Sequence, residues 1–216
     1  MNRVPAFEIT DRDVVAALIR DLAFAQVVTQ DAAGFVASSV PLLLDEPEGG
    51  PWRLRGHLAR SNPQVKIGEA SVPALALFIG PHAYVSPSTY ATKADSGKVV
   101  PTWNYVEVHV HGTMRLTDDA DQTLTAVRDL TDAHEAGRTE PWRVADAPDG
   151  YVDGLARGIV AFEVEVDRVE AKAKLSQNKS EADRTGVIAD LTGGPGQGPD
   201  VARLMRSGAF DRHEAR

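Results

Sequence analysis

The chain of 216 residues contains no cysteine, which excludes disulfides, thiolate metal sites and cysteine nucleophiles. It also lacks any apolar run near the roughly 18 residues that a membrane-spanning helix requires, so no membrane partner is expected. Basic residues are outnumbered, 23 against 31 acidic ones, for a formal charge of −8. That balance opposes nonspecific nucleic-acid binding, which needs clustered Lys and Arg to displace counterions, and direct DNA binding is not expected. No helix-turn-helix signature, GxGxxG motif, βαβ rhythm or internal repeat is present. Met1-Asn2-Arg3-Val4-Pro5 begins no signal-peptide pattern, because Asp11, Arg12 and Asp13 follow soon after, and the expected location is the cytoplasm.

What is there is a protein with a core of ordinary size: 43% of residues are hydrophobic and 25% charged, enough for one large domain. Val14, Leu18 and Leu22 recur at four-residue spacing behind a Thr10/Asp13 cap, predicting a helix over Asp11 to Ala25. Strands are expected over Gln26 to Thr29 and Phe35 to Leu44, around a Gln30-Asp31-Ala32-Ala33-Gly34 turn, and over Trp52 to Leu58 and Ala74 to Ile79. Val106 to Leu116 and Ile159 to Val169 alternate with a period of two. Helices are expected over Asp118 to His134, with Leu124, Val127, Leu130 and His134 on one side, from Ser180 to Leu191, and from about Asp200. Six or seven strands with helical insertions read as a mainly β, antiparallel barrel. The expected organisation is one domain over 1–192, then a Gly/Pro linker and short C-terminal helix over 193–216.

Four polar blocks lie between or beside these strands: Gly56 to Pro63, Gly80 to Ser88, Val100 to Tyr105, and Lys174 to Asn178. Polar groups gathered on loops of a rigid scaffold usually serve a ligand. In the first, Asn62-Pro63 predicts a helix start. Arg60 and Ser61 just before it and Lys66 one turn on make either a phosphate seat or a capped surface helix. Trp103-Asn104-Tyr105 either frames a flat heterocycle or closes a barrel end with core aromatics. Lys174-Leu175-Ser176-Gln177-Asn178 is either a site or a solvated turn. His109 and His111 share a strand face, but it is the face opposite the valine row and no third ligand is near in sequence, so no metal site is expected. His82 has no Ser or Asp partner identifiable in sequence, and no catalytic triad is supported.

In order and spacing, these blocks resemble the PaiB-type FMN-binding proteins, also called FMN-binding negative transcriptional regulators. The resemblance runs from about Gly56 to Leu191 and more weakly through the N-terminal helix and strands. That family is similar to the FMN-binding split barrels, which include pyridoxamine-phosphate oxidases and flavin reductases. The resemblance implies a six-stranded antiparallel FMN-binding split β-barrel that forms a homodimer, with FMN in clefts between subunits. It places Arg60 and Ser61, with the Asn62-Pro63 turn, near the phosphate, and His57 and Lys66 stand beside them as candidate cofactor-binding residues. Trp103, Asn104 and Tyr105 would line the cleft, and Lys174, Ser176 and Gln177 would approach the flavin edge. Thr89 and His111 stand where the family pattern carries aromatics. The implied function is a flavin-bound regulator. The alternatives are an FMN-dependent oxidoreductase, an F420 protein, or a haem-binding split barrel using His57, His82 or His109 as axial ligand.

Overall fold

The computed structural model describes residues 1–31, 34–68 and 70–211. Of the expected turn at Gln30 to Gly34, Ala32 and Ala33 lie outside the described residues. Among the described residues eight strands are formed: β1 (Glu8–Ile9), β2 (Phe24–Asp31), β3 (Gly34–Pro41), β4 (Leu43–Asp45), β5 (Arg53–Ala59), β6 (Val72–Val85), β7 (Thr102–Thr117) and β8 (Ile159–Lys174). The α-helices are α1 (Arg12–Leu22), α2 (Thr92–Ser96), α3 (Ala120–Glu135), α4 (Tyr151–Ala156), α5 (Glu181–Thr192) and α6 (Gly198–Ser207). The strands make one sheet in the order β3-β2-β6-β7-β8-β5-β4, with β1 added beside β8. This is the mainly antiparallel split barrel that the sequence implied. Its two strands beyond the expected six are the two-residue β1 and the three-residue β4.

β3 and β4 stand at opposite ends of the sheet path yet follow one another in the chain, separated by Leu42. Pro41 has no N–H to continue the ladder, and Leu42 turns inward to 2% exposure while its N–H bonds Ala23 O at 2.8 Å. Ala23 has a φ of 40°, which ends α1 short of the expected Ala25 and starts β2. One bent stretch therefore serves two edges, with β3 on β2 and β4 on β5.

The chain divides into two compact units, the first of residues 1–15, 79–108 and 170–211, the second of residues 16–78 and 109–169. In the second unit the core face of β5 carries Leu54, Gly56 and Leu58, and Arg53, Arg55 and His57 alternate onto the other face. A Cβ on Gly56 would meet Leu42 Cδ2 at 2.9 Å and Phe162 Cζ at 3.0 Å. β7 approaches β8 still more closely at Gly112, where a Cβ would stand 2.1 Å from Glu165 O. Asp119 caps α3 by accepting from Asp121 N and Gln122 N, and the buried stripe is Thr123, Ala126 and Leu130; of the expected Leu124, Val127, Leu130 and His134, Leu130 alone is buried.

In the first unit, Ser180 caps α5 through the N–H of Asp183. α5 packs on α6 through Val187 and Leu191 against Val201, Ala202 and Met205, all buried. The helices come so close that a Cβ on Gly198 would lie 2.9 Å from Leu191 O. Asp183 is itself buried and takes Thr92 N at 2.9 Å and Thr92 Oγ1 at 2.8 Å.

Candidate functional site

Strands reach further into the polar blocks than the alternation alone indicated. β6 continues through Gly80-Pro81-His82 to Val85, β7 begins at Thr102, and β8 ends at Lys174. Side chains in these blocks are therefore sorted by strand alternation into inward and outward sets. Each unit holds its own group of the expected residues.

In the second unit, His57 projects from the outward row of β5. It is half-buried, its Nδ1 is buried with no hydrogen-bond partner, and burial lowers its pKa, favouring the neutral ring. Arg60 lies one residue beyond the strand end. Its Nε donates to Arg157 O at 3.0 Å, and Nη2 donates to Asp118 Oδ1 at 2.7 Å and Ile159 O at 3.3 Å. These three bonds orient the guanidinium and, among the described residues, leave both Nη1 protons available. Ser61 and Lys66 are exposed.

Asn62 is committed locally: Oδ1 accepts from Gln64 N at 2.9 Å and Nδ2 donates to Ser38 Oγ at 2.8 Å. The helix expected to start here is a five-residue 3-10 turn, Pro63–Ile67, ended by Gly68 at φ 59°. A turn this short carries little dipole, so the attraction for an anion rests on the side chains of Arg60, Ser61 and Lys66. Sequence reading missed Gln64. It is 1% exposed and its Nε2 reaches Val27 O at 3.1 Å and Thr29 Oγ1 at 3.0 Å, joining the turn to β2. Only its place two residues after a capping Asn hinted at this.

In the first unit, Trp103 and Tyr105 share one face of β7 and Asn104 takes the other. Trp103 is 52% exposed, edge-on to Tyr84 with centroids 6.0 Å apart and tilted to His82 at 6.2 Å. Asn104 is fully buried, and its Nδ2 donates to Ser176 Oγ at 3.0 Å and meets Met205 Sδ at 3.4 Å. Ser176 holds a φ of 64°, rare for a residue with a Cβ, and the Asn104 amide secures it there. Gln177 closes the same turn, accepting from Leu175 N at 2.7 Å and donating to Ala173 O at 2.7 Å. Asn104, Ser176 and Gln177 thus spend their hydrogen bonds inside the protein.

Lys174 does not spend all of its own. Its Nζ donates to Thr102 Oγ1 at 2.7 Å and Trp103 O at 2.6 Å, which leaves one of three protons. Burial lowers its pKa, and Lys172 and Lys179 add to the effect. Lys172, 4% exposed, donates to Asn2 O at 3.1 Å and lies over the Tyr105 ring, 5.1 Å from its centroid. His82 Nδ1 lies 3.2 Å from Gly80 O, a contact that favours the Nδ1–H tautomer with Nε2 as the base.

Taken separately, the donors of each unit suit a different part of FMN. A phosphate dianion calls for charge-assisted donors, which Arg60 Nη1, Ser61 and Lys66 offer. A flat ring calls for exposed aromatic surface, which Trp103 offers, and its electron-rich edge calls for a donor such as the remaining proton of Lys174. The orphaned Nδ1 of His57 is a further polar atom in want of a partner.

Comparison with known proteins gives the same answer. Residues 1–168 match the family model described as "Putative FMN-binding domain". The protease synthase and sporulation protein PAI 2 of Bacillus subtilis is 32% identical, the match covering 86% of each chain. An uncharacterized protein of Emericella nidulans is 35% identical, over 79% of this chain and 80% of its own. Among solved structures, the FAD and heme binding protein of Mycobacterium smegmatis shares the fold at a TM-score of 0.56. That match covers 77% of this chain and 73% of the other at 16% identity.

Proposed function

This chain belongs to the FMN-binding family whose model spans its residues 1–168, and on that premise we propose that it is a homodimeric flavoprotein of PaiB type with a regulatory output. Its cofactor is FMN, which supplies a redox-active ring and a phosphate by which the protein holds it. The observation that carries the reading is the group at the end of β5. Arg60 is braced by two backbone carbonyls and Asp118 with both Nη1 protons free, and Ser61 follows it. In this reading Arg60, Ser61 and Lys66 hold the phosphate, and His57 stays neutral beside them. Trp103 and Tyr105 cover the ring, and Lys174 gives its remaining proton to the ring edge. Asn104, Ser176 and Gln177 act one step back, by fixing the turn from which Lys174 projects.

A relative named for protease synthesis and sporulation supports a regulatory output. The formal charge of −8 argues that this output passes through a partner protein or a metabolite and not through a direct hold on DNA. The test joins three measurements. Purified protein should show a flavin spectrum and release FMN by mass, and it should sediment as a dimer with FMN bound. It should not shift DNA at physiological salt. A Soret band with no flavin would replace FMN by haem. Rapid anaerobic reduction by NAD(P)H, with turnover of an acceptor, would replace the regulator by an oxidoreductase. Salt-sensitive nanomolar binding to one DNA sequence would make the protein a direct repressor.

A further inference from the structure

A concave site lies in the second unit, between the N-terminal half of α3 and the outward face of β5, β7 and β8. It is a cavity of about 360 Å³ into which Arg55, Arg115 and Glu163 project, with Gln122 and Thr125 of α3 at its rim and Ala126 and Ala161 buried in its wall. None of these residues belongs to the flavin group described above.

Its charges are unusually disposed. Arg55 stands directly across from Glu163 in the β5–β8 register, where an ion pair would be expected. Its guanidinium turns away instead. It forks onto Asp45 through Nε and Nη2, and Nη1 reaches Asp129 Oδ2 at 2.7 Å, so its charge is taken up by two carboxylates that hold its pKa far above the usual value. Glu163 is thereby left half-buried with no ion-pair or hydrogen-bond partner among the described residues. Arg115 is likewise without a carboxylate; its Nε donates to Ser71 Oγ at 2.9 Å, and its Nη groups have no partner among the described residues. Among the described residues, one small cavity thus carries a cation and a carboxylate without ion-pair partners, and the two do not pair with each other.

We propose that this cavity binds a small zwitterion of the α-amino-acid class with an apolar side chain. Its carboxylate would take the free Nη donors of Arg115 and its ammonium would take Glu163. The volume is at the lower end of small-molecule pockets, about 300–1,000 Å³, which suits a ligand of amino-acid size. Ala126 and Ala161 give its side chain an apolar wall, and the Gln122 amide supplies a polar contact at the mouth. Two opposite charges held apart by the scaffold are complementary to a dipolar ligand and poorly so to a singly charged one, which leaves one protein charge unanswered.

The test is calorimetry on the FMN-loaded protein with L-norleucine, n-hexanoate and n-hexylamine. Saturable norleucine binding, with each half-analogue weaker by about tenfold or more, is the expected result. Arg115→Gln and Glu163→Gln should each cost about tenfold, at unchanged melting temperature and flavin absorbance. Thr125→Trp, which fills the cavity from the helix side and touches neither charge, should abolish binding and decides the matter if a charge variant does not fold. No saturable binding up to about 10 mM, or equal binding of hexanoate, overturns the proposal. So does displacement of norleucine by FMN, because the cavity would then be part of the flavin seat. Loss of FMN binding in Arg60→Ala with norleucine affinity intact keeps the two sites separate, so either reading can fail alone.

Discussion

Arg60 illustrates how a side chain can be bound and still be available. Two carbonyls and Asp118 hold one edge of its guanidinium, and the Nη1 edge remains for a ligand. Arg60→Ala should weaken FMN by about 1.5–3 kcal/mol, the range for hydrogen bonds to charged groups. Riboflavin, which lacks the phosphate, should lose much less, and fluorescence titration of both ligands makes the comparison. His57 has a different signature. Burial lowers its folded pKa, so its contribution to stability is complete above the unfolded value of about 6.5. That contribution declines as pH falls from there through the lowered folded value, because the unfolded chain takes up the proton first. Denaturant unfolding at a series of pH values should show this decline in the native protein and not in His57→Gln. Residue identity alone told Arg60 and Trp103 apart from their surroundings. It could not show that Asn104, between two outward aromatics, points the other way, since that follows from β7 starting at Thr102.

Elements were legible where their periodicity was strong. The alternations of β7 and β8, the start of α5 at Ser180, and the hydrophobic spacing of α1 all correspond to elements of the structure. Strand ends were not legible. Gly80-Pro81 reads as a stop, yet β6 runs through it; β2 pairs with β6 only at Ala74–Leu77, so Pro81 lies past the stretch where β2 would require its N–H. The short α4 escaped notice because six residues carry little pattern. Packing between elements is likewise silent in a sequence, and Gly112 is the clearest case. With Glu165 O only 2.1 Å from the place of a Cβ, Gly112→Ala must push β7 off β8. Thermal or chemical denaturation should register a loss of about 1–3 kcal/mol, the usual cost of overpacking, and no loss would mean that the strands shift freely.

At the scale of the whole molecule, the family motifs spoke to what the protein holds, and composition gave only an expectation of what it avoids. Neither spoke to the cavity under α3, which depends on Arg55 turning from its cross-strand partner to Asp45 and Asp129. The bend at Leu42 has a consequence of another kind, one of time. A sheet whose two ends share a single bent stretch has a place to open first, and β4, three residues paired only with β5, is that place. Openings there break few backbone bonds and need not disturb the eight-residue pairing of β2 with β3. In hydrogen exchange read by mass spectrometry, amides of 42–46 should take up deuterium well before those of 25–29. The two segments should come to exchange together only as denaturant brings global unfolding within reach. The barrel then breathes at its seam, many times for each occasion on which it comes apart.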